Sequence, residues 1–544
     1  LRAAVERGMK LIVIDPRRSQ TAARAAIHLQ PRPGEDVTIL AGIINIIIGE
    51  QWHDAAFLAE NAEGFAELAD AVSGFTPDYV AERADVPRDQ LLDAARLFAT
   101  YGTKRGMVNA GTGANFAMHG NVVEYLCLCL TTLCGRWQRE GERVTRPNTL
   151  MPAFTAKAQP HPPYEGWGYG EQLRVRGLTD TVSGMPTAAL ADEILLEGDG
   201  QVKALLCIGG NPMAAWPDQR KTHRALESLE LLVTLDTEMS LTSQLADYVI
   251  APMMQMETPA MTMGSELIKY YTSGTGIPAA YAQYVPRVVE PPAGSDLTEE
   301  WKFFLGLAQR MKLELWFVNF FGGGGGRFME SPPIVLPMNG DTELTTEELF
   351  EQMCATSRIP LDEVRSHPHG KIFDVDAVVE ERDADCTARL DLGNGYLLAE
   401  LTSVLTEDFA TARDDPTYPF RLIPRRHQNF MNSSGTALAA LNRGKPYNPV
   451  YMHPDAVAEL GLESGCSVLV TSAHDSVPAV LESDVTLRRD VVAMHHAFGG
   501  MPGADVDFRE HGTNVGRLVP TDVDYDPITG LPRQGNIAVA IAGL

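Results

Sequence analysis

An α/β protein with parallel sheets, completed by a C-terminal β-barrel, is what the sequence predicts. Ala204–Ile208 and Leu231–Leu235 are apolar runs of strand length, each followed by a polar or glycine-rich loop and then a helical pattern. Leu11–Ile14 repeats this near the chain start, ending in Asp15-Pro16-Arg17. After Arg382 the texture changes to short strands at close spacing with Gly and Pro turns, the pattern of a barrel.

Ligands of parallel sheets sit beyond the carboxyl ends of the strands, where Gly209, Gly210, Asn211 and Pro212 follow one strand and Asp236 and Thr237 the next. The glycines let backbone approach a phosphate, Asn211 offers a donor and an acceptor, and Asp236 can accept a pair of hydrogen bonds from a ribose diol or a guanine edge. The same residues also serve as plain turn-formers.

Asp15 stands to its strand as Asp236 does to its own, 221 residues later, which suggests two separate dinucleotide sites. The alternative is an acid at a helix start, stabilised by the macrodipole, since a helix is expected over Thr21–Ala26. Pro31-Arg32-Pro33-Gly34-Glu35-Asp36 then precedes a long apolar helix, Val37–Ile48, with two acids at its start. Residues 53–100 read as amphipathic helices broken at Thr76-Pro77 and Val86-Pro87. The segment VNAGTGANFAMHG carries Gly111, Gly113, Asn115 and His119 and runs into the apolar helix Val122–Leu133. Its GxG falls short of a Rossmann fingerprint, and no phosphate-loop lysine motif follows any glycine cluster. Asn115 and His119 are open to a ligand or to ordinary loop hydrogen bonds. Cys127, Cys129 and Cys134 read as small core residues.

Pro147–Trp167, rich in Pro, Tyr and Trp, reads as a surface or channel-lining loop, Glu257–Ser265 as irregular, and Gly322–Gly326 as a flexible link. The expected barrel strands are YLLAEL, PFRLIP, SVLVTS, VPAVLESD, VVAMHH and IAVAIA, with polar loops at Arg425–Ser433 and His511–Arg517.

With 544 residues, 44% of them hydrophobic and 21% charged, the chain has the make-up of a soluble protein of several domains. The boundaries read as 1–110, an α/β domain with the first dinucleotide site; 111–380, an α/β domain with the second site and irregular insertions; and 390–544, the barrel. A net charge of −26 excludes a general electrostatic grip on nucleic acid. The run Ile39–Ile48 is too short to span a bilayer, so no transmembrane segment is expected. Seven cysteines without a CxxC pair argue against a disulfide scaffold or a structural zinc site. The chain opens at Leu1 within what reads as a strand-helix-strand unit lacking its first strand, so it is expected to be a fragment, and no targeting signal can be read from it.

The motifs IDPRRS, PGED, NAGTGANFAMHG, GGNP, LVTLDTEMSLTSQLADYVIAP and NVGRL occur in the order found in the molybdopterin oxidoreductases, the dimethyl sulfoxide reductase superfamily, which nearly the whole chain resembles. The resemblance implies a catalytic subunit with a barrel of the double-psi type, binding molybdenum or tungsten through bis-molybdopterin guanine dinucleotide. Asp15, Arg17 and Asp36 would serve one dinucleotide, and Pro16, Gly34, Glu35, Gly111, Gly113 and Asn115 are further cofactor-binding positions. Gly210, Asn211, Pro212, Asp236 and Thr237 would serve the other. Arg425, Asn432, Ser433, Phe498, Asn514 and Arg533 would hold pterin and phosphate from the barrel. Gly516 stands where the resemblance leads one to expect a second Asn, which leaves that contact in doubt.

The family's 4Fe-4S cluster and the protein ligand to its metal would lie upstream of Leu1, so no metal ligand is expected within this stretch and no catalytic residue can be named from it. The resemblance further implies a small-molecule substrate, oxidised or reduced, and an iron-sulfur electron-transfer subunit as partner. Two alternatives remain: a non-redox hydratase of the same family, and a metal-free structural homologue in an electron-transfer complex, such as the large iron-sulfur subunit of respiratory complex I.

Overall fold

The computed structural model describes residues 1–102, 106–144, 149–152, 155–160, 165–181, 184–263, 279–317, 334–335, 344–373, 377–409, 415–442 and 444–544. The expected glycine link at 322–326 lies outside the described residues, as do parts of the 147–167 and 257–265 stretches.

The first half is built around α1 (Asp36–Gly49), ten of whose fourteen residues are buried. A helix so apolar on all sides has to be central. Around it pack α2 (Ala55–Asn61), α3 (Phe65–Val72), α4 (Pro77–Ala84), α5 (Arg88–Thr100) and α6 (Gly120–Leu133), in one hydrophobic cluster that contains Ile39, Ile44, Leu68, Phe75, Leu91 and Leu126. Both expected breaks are helix starts: Pro77 occupies the first turn of α4, where the Thr76 hydroxyl accepts the Tyr79 N–H at 3.3 Å, and Pro87 precedes α5. The three clustered cysteines are buried. The cluster contains residues on both sides of the 110/111 boundary, and it also takes in Leu398, Leu401 and Val404.

Two small parallel sheets carry the acidic strand ends. In the first, β1 (Ile12–Ile14) pairs with β2 (Ile27–Leu29); the second comprises β3 (Ala204–Ile208), β4 (Leu231–Leu235) and β5 (Tyr248–Ile250), with helix α7 (Gln219–Glu227) between β3 and β4. The segment after β1 and the segment after β4 are built alike, position for position, 221 residues apart. Asp15 Oδ1 accepts the Arg17 N–H at 2.8 Å, and Asp236 Oδ1 the Glu238 N–H at 3.1 Å. Ser19 Oγ accepts from Ala22 N–H at 3.3 Å and Ser240 Oγ from Ser243 N–H at 3.3 Å. A single 3-10 turn follows in each, Ala22–Arg24 and Ser243–Leu245, and the chain then enters a parallel strand. The helix expected over Thr21–Ala26, and its counterpart after Leu235, are therefore these turns. Asp and Ser side chains take the backbone N–H groups a helix would need to nucleate, and too few residues remain before the next strand.

The C-terminal region is a closed six-stranded barrel. Its strands are β6 (Phe420–Arg425), β7 (Pro449–Met452), β8 (Ser467–Thr471), β9 (Ser476–Ser483), β10 (Val491–His495) and β11 (Ile537–Gly543). Around the barrel they run β6-β10-β7-β9-β8-β11 and back to β6, with β6/β10 and β7/β9 parallel and the other neighbours antiparallel. Leu422, Val450, Val468, Leu481, Val492 and Val539 fill the interior. Five of the six expected strands lie in it. The sixth, YLLAEL, is instead part of helix α8 (Gly395–Val404), which packs on α3 and α6. Asn394 caps it by accepting the Leu397 N–H at 3.1 Å, and its apolar residues at 397, 398, 401, 404 and 405 follow a helical period. Its place in the barrel is taken by PVYM, four buried residues too short and too proline-led to stand out as a strand.

The barrel bridges the two halves. Toward the first sheet, Arg18 N–H donates to Thr486 O at 2.8 Å and Arg488 Nη1 to Gln30 O at 2.9 Å. Toward the second, Asp218 N–H donates to Gly516 O at 2.8 Å and Asn514 Nδ2 to Ala214 O at 2.8 Å. Among the described residues no helix is long and apolar enough to cross a membrane.

Candidate functional site

A cavity of about 1280 Å³ opens between the carboxyl end of β1, the 106–117 loop, α6 and the end of β6. Asp15, Pro16 and Arg17 line it from the strand end, Gly34 and Asp36 from the start of α1, Gly111 and Gly113 from the loop, and Arg425 from the barrel. Gly34 has φ +89°, and a Cβ there would lie 2.6 Å from Asn536 Nδ2, so the turn before α1 needs glycine to sit this close to the cavity wall. Glu35 and Asn115, also expected to bind cofactor, do not line the cavity. The Glu35 carboxylate turns to Arg83 Nε at 2.8 Å and the Thr38 hydroxyl at 2.6 Å. Asn115 Oδ1 is buried without a hydrogen-bond partner, an acceptor for which the fold supplies no donor.

Electrostatics divide the site. Burial raises the Asp36 carboxyl to about 6, with Asp15 and Glu35 adding to the shift. Arg17, Arg425 and Arg426 also line an adjoining cavity of about 580 Å³, where Lys445 adds a fourth cation. Burial lowers the pKa of Arg17 and of Arg426, and neighbouring Arg425 lowers Arg17 further. Arg425 is tied to Asp484 at 2.6 Å and stacks 3.7 Å from the Tyr451 ring centre. His427 and His496 are pushed down to about 4 by burial and by nearby histidine and arginine charge, so both imidazoles are neutral at physiological pH. Cations crowded together favour a polyanion; carboxylates at the neighbouring cavity suit a base edge that donates N–H groups.

The second predicted set lies at the ends of β3 and β4, away from this cavity. Gly210, Asn211 and Pro212 lead out of β3, and Asn211 Oδ1 accepts from the Thr242 hydroxyl at 2.9 Å and its N–H at 3.3 Å, tying the two loops together. Asp236 is half-buried and Thr237 exposed.

Of the six barrel residues expected to hold the cofactor, Arg425 lines the cavity and the other five do not. Asn432, exposed at φ +55°, bonds Arg426 through Oδ1 at 2.5 Å, and Ser433 follows it in the same loop. Phe498 is buried between Phe430 and His495. Asn514 is spent at both ends, on Ala214 O and on the Gly516 N–H at 2.7 Å, so Gly516 contributes its backbone where a second Asn was expected. Arg533 pairs with Asp524, its Nε buried and unpartnered. His119 does not face the cavity: its ring bonds Glu400 and Glu407. Arg426, His496 and Asn536 were not singled out in the sequence; only the Arg425-Arg426 doublet at a strand end hinted at one of them. Among the described residues no group of three or more His, Cys, Asp or Glu could hold a metal ion.

Paired acidic strand ends and a bridging barrel thus define an α/β protein in which one strand-end segment occurs twice. The family model described as molybdopterin oxidoreductase matches residues 1–268, and that described as molydopterin dinucleotide binding domain matches 420–538. The chain belongs to the molybdopterin oxidoreductase family, whose dinucleotide-binding domain implies a molybdopterin cofactor carrying molybdenum or tungsten. It is similar to the F420-dependent formate dehydrogenase subunit alpha of Methanocaldococcus jannaschii, 28% identical over 57% of this chain and 44% of the relative. It thus spans under half the length of that relative. It is also similar to acetylene hydratase of Syntrophotalea acetylenica, 25% identical over 99% of this chain and 74% of the relative. The solved structure of acetylene hydratase from Pelobacter acetylenicus shares its fold, with a TM-score of 0.71 and 21% identity over 100% of this chain and 75% of that one.

Proposed function

We propose that this chain is the dinucleotide-holding part of a molybdenum or tungsten oxidoreductase that binds two molybdopterin guanine dinucleotides and oxidises or reduces a small molecule. The observation that carries the reading is the cavity in which Asp15 and Asp36 meet Arg17, Arg425 and Arg426. In it the carboxylates accept the N1 and N2 hydrogens of guanine, and the arginines neutralise the pyrophosphate. The 221-residue repeat supports the second dinucleotide, with Asp236 in the place of Asp15 and Asn211 holding the facing loop. The bound metal-dithiolene group supplies the redox chemistry; this chain's residues bind and orient it and keep water from the buried face. A 4Fe-4S cluster and an electron-transfer subunit complete the proposal for the whole protein.

Full-length holoenzyme purified from a molybdenum-replete host is expected to release two GMP per metal on acid hydrolysis. Asp15→Ala and Asp236→Ala should each lower GMP content, since each removes charge-assisted bonds of roughly 1.5–3 kcal/mol. Full metal and GMP in both variants would remove the assignment. The match to acetylene hydratase across nearly the whole chain favours a second reading, a hydratase. Turnover with viologen dyes supports the redox reading, and hydration of an alkyne without any electron acceptor supports the other.

A further inference from the structure

We propose that His119 is a positioning residue for the dinucleotide cavity, acting through an ionic relay, His119–Glu407–Arg83–Glu35, that clamps the 106–117 loop to the start of α1. The inference rests on the cofactor occupying that cavity. His119 sits at the N-cap of α6, directly after the loop that lines the cavity, with φ +63°. It is 9% exposed in its side chain, and its two ring nitrogens lie 2.8 Å from Glu400 Oε1 and 2.7 Å from Glu407 Oε1. An imidazole that meets a carboxylate at each nitrogen donates at both, and only the imidazolium can.

The other Glu407 oxygen accepts from Arg83 Nη2 at 2.6 Å. Arg83, 4% exposed, turns its Nε to Glu35 at 2.8 Å and its Nη1 to Val404 O at 2.5 Å. Glu35 is the residue between cavity-lining Gly34 and Asp36. One wall of the cavity is thus tied to the other through α4 and the chain after α8, by charges that never touch the ligand. The charges acting on His119 are those of Glu400 and Glu407; of the polar groups on the elements nearby, Tyr79 bonds Arg83, Glu124 on α6 is exposed, and Asp526 accepts the Asn121 amide at 2.7 Å. None supplies a competing cation. Burial alone would lower the His119 pKa, but the hydrogen bonds and charges of Glu400 and Glu407 outweigh it and raise it to about 9. The clamp is therefore closed at neutral pH and opens as the native protein is taken through pH 9.

The test follows GMP retained by the holoenzyme during dialysis between pH 7 and pH 10. Wild type should hold its GMP to about pH 8 and lose it through a single step near pH 9. His119→Asn keeps a residue that tolerates αL geometry but removes the bridge; it should lose GMP roughly tenfold faster at pH 7, with no step at pH 9. His119→Arg keeps a cation at all these pH values and should retain GMP beyond pH 9. A His119→Asn profile that superimposes on wild type, or no step in wild type itself, overturns the relay while leaving the cofactor in place. Wild type without GMP at any pH overturns the cofactor reading, and the relay with it. The wild-type profile needs no variant, so a His119→Asn chain that fails to fold does not spare the proposal.

Discussion

Asp36 shows how binding and stability compete at a single residue. Its carboxyl is raised to about 6 by burial, against an ordinary carboxylate value near 4, so ionising it in the folded cofactor-free protein is unfavourable. The cost is absent below about pH 4, grows between pH 4 and 6, and is fully present above pH 6. A guanine edge bonded to the carboxylate would offset it. Asp36→Asn should accordingly stabilise the cofactor-free protein at pH 8 by about 1–3 kcal/mol, leave it unchanged at pH 4, and hold GMP less well. Denaturant titrations at the two pH values check this, and equal destabilisation at both would show that Asp36 is held by protein partners alone.

At the scale of elements, what the sequence made legible depended on which physical signal was local. The acidic strand ends could be read because a short apolar run and the acid closing it are adjacent in sequence; Asp15 and Asp236 stand where that pattern puts them. The helices of residues 53–100 could be read because Thr76-Pro77 and Val86-Pro87 mark their starts. The error at YLLAEL came from reading composition before period: its leucines at 397, 398 and 401 keep a helical spacing that alternation does not explain. The outward turn of Glu35 and the pairing of His119 were hidden, because their partners Arg83, Glu400 and Glu407 are distant in sequence. Leu401, fully buried on α8, belongs to the first-half core although it lies just ahead of the barrel. Leu401→Ala should cost about 2–5 kcal/mol of stability. If α8 were dispensable to that core, a chemical melt would move by less than about 1 kcal/mol.

Across the whole molecule, a chain of net charge −26 gathers Arg17, Arg425, Arg426 and Lys445 at one cavity, where the first sheet and the barrel meet. The barrel already holds both halves through Arg488–Gln30 and Asn514–Ala214, so loss of the cofactor should leave the architecture standing. What it removes is the filling of the cavity, and the part of the wall with least support of its own is the 106–111 stretch, which has no regular structure and exposes Met107 to 58%. A ligand bound only by the native state stabilises it by about 2.7 kcal/mol at a hundredfold excess over its Kd, and opening of the segment it covers is suppressed in the same proportion. Limited proteolysis of cofactor-stripped protein should therefore cut first between Gly106 and Gly113, and the loaded protein should resist at that place, while barrel peptides such as Val491–His495 stay protected in both. Mass spectrometry of the first fragments reads the result. Early release of barrel peptides from the stripped protein would mean that the cofactor, and not the hydrogen bonds between barrel and sheets, holds the three parts together.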